Sequence, residues 1–277
     1  MNLYIYPLNI CRTLLALNTL TTLVFNSNYV LFGHKISKGI LLEKYGIFFL
    51  FSNNLDVAKI ISVIILIIII LGFYPKWTSI LHFYISYSFI MACDVTYGAD
   101  RIASNVTLFL IPLCFFDSRE NQFKKKKDIN NLKNNKVYWF FYMAVMIQIS
   151  LIYFQAFHKK IELLEWQNGT AVFYYVTHNE YGLGVYNGVK DFLQRNYFLV
   201  YLLTWGALFI ELMLALLILV KSKLPLTVLY LILFLGIFFH FVIMFVHGLF
   251  PFFLVMSGVL CFYILPFEFE KSARFGF

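Results

Sequence analysis

The chain has 277 residues, 61% of them hydrophobic and 13% charged, with a mean hydropathy of +0.77; soluble domains run near about 45–50% apolar and about 25% charged. This composition excludes a soluble globular enzyme, and 33 Phe, 19 Tyr and 4 Trp beside 14 Gly and 6 Pro exclude a disordered, collagen-like or linker chain. A net charge of +8 does not point to nucleic acid, because seven of the 22 basic residues crowd into one loop, which is a signature of membrane topology.

The N-terminus, MNLYIYPLNICR, lacks the basic start and small-residue cleavage site of a secretory signal, so its first apolar stretch is expected to be retained. Crossing a bilayer as a helix takes about 20 mainly apolar residues. Eight runs approach that length: Leu8 to Phe25, Val57 to Tyr74, Thr78 to Cys93, Ile102 to Phe116, Val137 to Phe157, Tyr197 to Val220, Leu224 to Val246 and Phe250 to Pro266. Ile40 to Phe51 is too short and, with Glu43 and Lys44, too charged to span, and reads as interfacial or partly re-entrant. The expected fold is all-α: a single polytopic membrane helical bundle over residues 1–277, with about eight transmembrane helices plus interfacial helices.

Residues 117–136 carry Arg119, Lys124 to Lys127, Lys133 and Lys136, which assigns this basic loop to the cytoplasm. Alternation then puts both termini inside, with Lys221, Lys223, Lys271 and Arg274. It puts Asn26 to Asp56, Asp94 to Arg101 and the extracytoplasmic segment 158–196 outside. Lys35, Lys38 and Lys44 fall on the outer side against this rule, so the order of the first two spans is the least determined. The four cysteines are widely spaced, with no CxxC pair, and read as buried thiols.

An ionisable side chain near mid-membrane costs at least about 2.5 kcal/mol, so each needs a partner or a function. Glu211 lies inside TWGALFIELMLALLILV and His240 inside YLILFLGIFFHFVIMFVHG. Counted from the Lys221–Lys223 turn, their depths differ by roughly 10 Å, which leaves direct contact open. His247 lies two helical turns after His240 on the same face, next to Gly248 and Pro251, where a membrane-edge anchor is equally natural. The densest polar cluster is YFQAFHKKIELLEWQNGTAVFYY, from Tyr153 to Tyr175. There His158 and Glu162 are four apart on a continuing helix and Lys159 and Glu162 three apart, so one lysine can be paired while Lys160 points elsewhere. A lysine without a close carboxylate in an aromatic setting can act as a base; the residues alone favour the alternative, a stem that snorkels and leaves its amine in water. Asp100, before the fourth span, reads first as a helix cap.

No phosphate-binding loop, GxGxxG, HExxH, GxSxG or SxxK motif is present, and no paired repeat of the kind secondary transporters show.

The helix beginning R-T-L-L-A at Arg12, the G-x-D turn at Gly98 and Asp100, FHKKIELLEWQNGTAV, the membrane Glu211, FFH ending at His240 and HGLFP from His247 to Pro251 occur in one order. In that order the chain resembles the HTTM membrane domain family, which includes vitamin K-dependent γ-carboxylase. Its compact size and the IASNVTLFLIPLCFFDSR segment make it look like the sporulation-delaying SdpB branch of that family. The resemblance implies a bacterial plasma-membrane protein required for maturation of a secreted antimicrobial toxin peptide. It implies action with an SdpA-like companion protein on an SdpC-like toxin precursor, without nucleic acid. In the carboxylase branch a lysine of the KK-hydrophobic-acidic stretch is the catalytic base, and Lys160, followed by Ile161 and Glu162, is the matching residue. The chain ends at Phe277 without the β-rich region that grasps a propeptide there, so carboxylation itself is not expected. On this reading Lys160, His240 and Glu211 are catalytic, and His158, Asp100 and His247 are substrate-binding, around an outward-facing polar cavity. The resemblance names no cofactor, and no metal site is expected. The alternatives are a non-enzymatic scaffold or export chaperone for the precursor, and an immunity protein or small-solute transporter.

Overall fold

Proline and glycine set the helix boundaries in the computed structural model, which describes residues 6–33, 45–94, 98–125, 135–180, 182–183 and 186–266. Pro7 opens α1 (Pro7–Phe25), where a missing N–H costs nothing. A short α2 (Asn28–Phe32) follows, its Ser27 cap accepting from the Val30 amide, and then α3 (Ile47–Leu50). α4 (Leu55–Ile70) starts on Asn54, whose side chain accepts from Val57 N, and stops at Gly72 (φ 83°) and Tyr74 (φ 43°). Those left-handed residues reverse the chain into Pro75, the first residue of α5 (Pro75–Ala92). α6 (Gly98–Phe115) ends the first half; α7 (Lys136–Ile161), α8 (Leu164–Gln167), α9 (Ala171–Val176), α10 (Asn187–Arg195), α11 (Tyr197–Val220), α12 (Leu226–His247) and α13 (Phe250–Ile264) complete the order.

All eight predicted runs form helices, and no strand occurs among the described residues. Four helices are long and apolar enough to cross a membrane: Pro7–Phe25, Lys136–Ile161, Tyr197–Lys223 and Leu226–His247. The other four are shorter or more polar: α4 is cut to 16 residues by the reversal at Gly72, α13 has 15, and α6 carries Asp100 and Arg101. The long helices are apolar on their exposed sides as well. Phe140, Met143, Ile147, Leu151 and Phe154 form one such stripe on α7, and Leu231, Phe234, Phe238, Phe241 and Phe245 another on α12. A surface like this suits hydrocarbon and not water, which fits a membrane protein. Of the predicted interfacial segment Ile40 to Phe51, residues 40–44 lie outside the described residues, and Ile47–Leu50 is helical.

The chain divides into two compact units, Met1–Val145 with Leu254–Phe277, and Met146–Phe253. The core of the first includes Leu23, Phe32, Phe48, Leu66, Ile85 and Phe89, with the rings of Phe32 and Phe48 stacked 4.7 Å apart. Near one end a clip closes around Gln122. Its N–H donates to Gly72 O at 2.8 Å, and Tyr74 N–H donates to Glu120 O at 2.7 Å. The Gln122 side chain in turn accepts from Arg12 Nη1 at 2.7 Å, while Arg12 Nη2 donates to Thr78 Oγ1 at 2.9 Å. Arg12 is 1% exposed, so this guanidinium is held in the interior by neutral acceptors. Cys11, Cys93, Cys114 and Cys261 are all buried and in no disulfide, as their spacing predicts.

Candidate functional site

The second unit gathers its polar residues where α7 ends. α7 stops at Ile161, whose carbonyl accepts from Gln167 Nε2 at 2.9 Å, and the chain turns through α8. Gly169 makes the return possible. Its φ is +72°, and a Cβ there would lie 2.2 Å from Tyr201 Cδ2 on α11, so neither the conformation nor the space admits a side chain. Thr170 N–H closes the turn on Glu165 O at 2.9 Å, and the α9 residue Val172 donates its N–H to Thr204 Oγ1 at 3.2 Å. The turn tucks Trp166 inward against Ala171, Leu208, Phe157 and Ile161.

Lys160 sits above that indole, its Nζ 5.1 Å from the ring centroid, and donates a hydrogen bond to Glu211 Oε1. The pair is asymmetric: the lysine side chain is 28% exposed and the glutamate side chain 5%. One end of the ion pair therefore meets the surroundings while the other is enclosed. The lysine thus has a close carboxylate, supplied by a different helix, where the spacing in FHKKIE offers it none. Glu211 Oε2 is buried with no hydrogen-bond partner.

His240 is 3% exposed and hydrogen-bonded through Nε2 with the Tyr153 hydroxyl at 3.1 Å; its Nδ1 is buried without a partner. The Phe239 and Phe252 rings pack at 5.1 and 5.4 Å from the imidazole, and the Lys160 charge acts on it. Tyr153 precedes Lys160 by seven residues, so both project from one face of α7. Lys160 is thus the element common to the two buried groups: it pairs with Glu211, and its helix also carries the tyrosine that holds His240. Ser150, one turn before Tyr153 on α7, fastens that helix to α11 through its hydroxyl, which donates to Ala215 O at 2.6 Å.

Three further residues were predicted for the site, His158, His247 and Asp100. His158 is exposed and its Nδ1 lies 3.3 Å from Glu162 Oε1, the pairing expected four residues along a helix. His247 is the last residue of α12 and half-buried. Asp100 belongs to the first unit, in the first turn of α6, where Oδ1 accepts from Asn18 Nδ2 at 3.1 Å. Tyr153 and Trp166 are the site residues that sequence reasoning missed. The seven-residue interval gave a signal for the first; the second depends on a turn of the chain.

Beside Trp166 the second unit opens a groove of about 590 Å³, lined by Leu164, Glu165, Asn168, Thr170, Tyr174, Tyr175 and His178. Tyr175 packs on Trp166 at 5.9 Å between ring centroids. Among the described residues no group of three or more His, Cys, Asp or Glu could hold a metal ion.

The chain is 30% identical to the sporulation-delaying protein SdpB of Bacillus subtilis (strain 168), over 92% of this chain and 80% of that protein. It is 26% identical to the uncharacterized protein YitO of the same organism, over 94% of this chain and 85% of that protein. No family model and no solved structure matches.

Proposed function

The chain belongs to the family of the sporulation-delaying protein SdpB, and on that premise we propose that it serves the maturation of a secreted antimicrobial peptide at the bacterial plasma membrane. In this reading it crosses the membrane about eight times with both termini in the cytoplasm, and works with an SdpA-like companion on an SdpC-like precursor. The basic loop 117–136 then lies inside, and 158–196 faces the exported precursor.

The observation that carries the reading is the Lys160–Glu211 ion pair set over Trp166 at the end of α7. An ionisable pair half-enclosed at the end of an apolar helix is costly to keep and is the mark of a working site. In this reading the partly exposed Lys160 Nζ is the group that meets the precursor, and the enclosed Glu211 carboxylate, accepting from it through Oε1, holds the amine in position. His240, fixed by Tyr153, supports the pair, His158 and His247 contribute to substrate binding, and Asp100, in the first unit, is proposed to bind substrate there.

A second reading has one observation in its favour: an ion pair between helices is also a structural pin, as a non-enzymatic scaffold or export chaperone for the precursor would use. Mass spectrometry of the precursor, expressed with the companion protein and with the parent chain, Lys160→Ala or Lys160→Arg, separates the two. The maturation reading expects a covalent change or cleavage that both variants abolish at unchanged membrane abundance. An identical precursor mass with and without the chain would overturn it, and normal processing with Lys160→Arg would favour the scaffold.

A further inference from the structure

The groove is distinct from the ion pair and is linked to it through the Trp166 ring, which packs on the lining residue Tyr175. Trp166 carries Lys160 on one ring contact and Tyr175 on another, and Tyr175 lines the groove. The groove is built by consecutive chain, from α8 through the Gly169 turn and α9 to His178, so the glycine that tucks Trp166 inward also shapes it. Its about 590 Å³ falls in the range of about 300–1,000 Å³ that suits a small ligand or a short segment of a larger one.

The lining chemistry selects by charge. Among the described residues that line it Glu165 is the one carboxylate, and it is half-buried, where an opposite charge is worth more than on an open surface. Tyr174 and Tyr175 both line the groove, and the tyrosine ring attracts an ammonium or guanidinium group over its face. Asn168 and Thr170 add an amide and a hydroxyl suited to main-chain N–H and C=O groups. His178 Nδ1 already accepts from the Glu180 N–H at 3.2 Å. An acidic ligand would confront Glu165 without compensation.

We infer that this groove seats a cationic segment of a peptide, its lysine or arginine side chain or amino terminus paired with Glu165 and covered by Tyr174 and Tyr175. That the cation belongs to a peptide rests on the maturation reading; the preference for positive charge rests on the groove alone.

The test uses the full chain in lipid nanodiscs and two dansyl-labelled tripeptide amides, Gly-Lys-Gly and Gly-Glu-Gly, followed by fluorescence anisotropy. The Lys peptide should bind about tenfold more tightly than the Glu peptide, the scale of one half-buried ion pair with cation–π support. Glu165→Gln should remove most of that preference, Glu165→Lys should reverse it, and Tyr174→Ala should weaken the Lys peptide alone. Equal affinity for the two peptides, or a preference unchanged in Glu165→Lys, would overturn the assignment. If Lys160→Ala leaves toxin yield normal while the charge preference holds, the maturation reading fails and the groove stands. If yield requires Lys160 but Glu165→Lys retains the parent preference, the groove alone fails.

Discussion

Lys160 and Glu211, 51 residues apart in the chain, form an ion pair in which the base is partly exposed and the acid is enclosed. The asymmetry fixes what each substitution leaves behind. Lys160→Ala strands a buried carboxylate, whereas Glu211→Gln leaves an amine that can still reach water. Lys160→Ala should therefore cost more stability, about 1–3 kcal/mol against about 1 or less. The Lys160→Ala, Glu211→Ala double variant should recover part of that loss. Thermal unfolding of the detergent-solubilised variants, read by fluorescence-detected size exclusion, checks the order; equal losses would show that the carboxylate is not enclosed.

On the proposed maturation reading both single variants should nonetheless abolish active peptide. Toxin yield and stability thus separate at Glu211→Gln, which keeps the fold and loses the function. Halo assays on a sensitive lawn, normalised to membrane abundance, measure this.

Tyr153→Phe removes the hydroxyl that holds His240 Nε2 at 3.1 Å and leaves both ring nitrogens without a partner. The expected loss is about 1–2 kcal/mol, with toxin yield reduced but present, since the ring can still pack against Phe239 and Phe252. His240→Ala should be more severe in both measurements, because it also opens a cavity between those rings.

Gly169→Ala meets two obstacles at once, a left-handed φ of +72° and the Tyr201 ring. It should destabilise the chain by about 2 kcal/mol or more. Tyr201→Ala in the same chain should restore the part due to the clash and leave about 1 kcal/mol of backbone strain. Unfolding midpoints of the two variants and the double variant apportion these terms.

In the first unit, Arg12 is 1% exposed and donates to Gln122 Oε1 and Thr78 Oγ1. Removing an acceptor should do more harm than removing the charge, because Gln122→Leu strands a buried guanidinium while Arg12→Met leaves only a neutral amide to satisfy. Expression level and unfolding temperature should both fall further for Gln122→Leu.

The helical class, the membrane setting and most helix limits were legible in the sequence because hydropathy and Pro or Gly punctuation are local properties. Pro7, Pro75 and the Gly72–Tyr74 reversal mark boundaries wherever the rest of the chain goes. Glu211 and His240 were legible as candidates for an equally local reason, each being an ionisable residue inside an apolar run, whereas Lys160 was singled out by the resemblance of its KK-hydrophobic-acidic stretch. Their relations were not. Distance along separate helices cannot say which faces meet, so Lys160 reads as a lysine without a carboxylate until the fold sets Glu211 against it. Nor can it say that Tyr153 reaches His240, or that one glycine turn carries Trp166 beneath the amine and opens a groove beside it. Burying a charge has a cost in any fold, and which groups share that cost is decided only when helices pack.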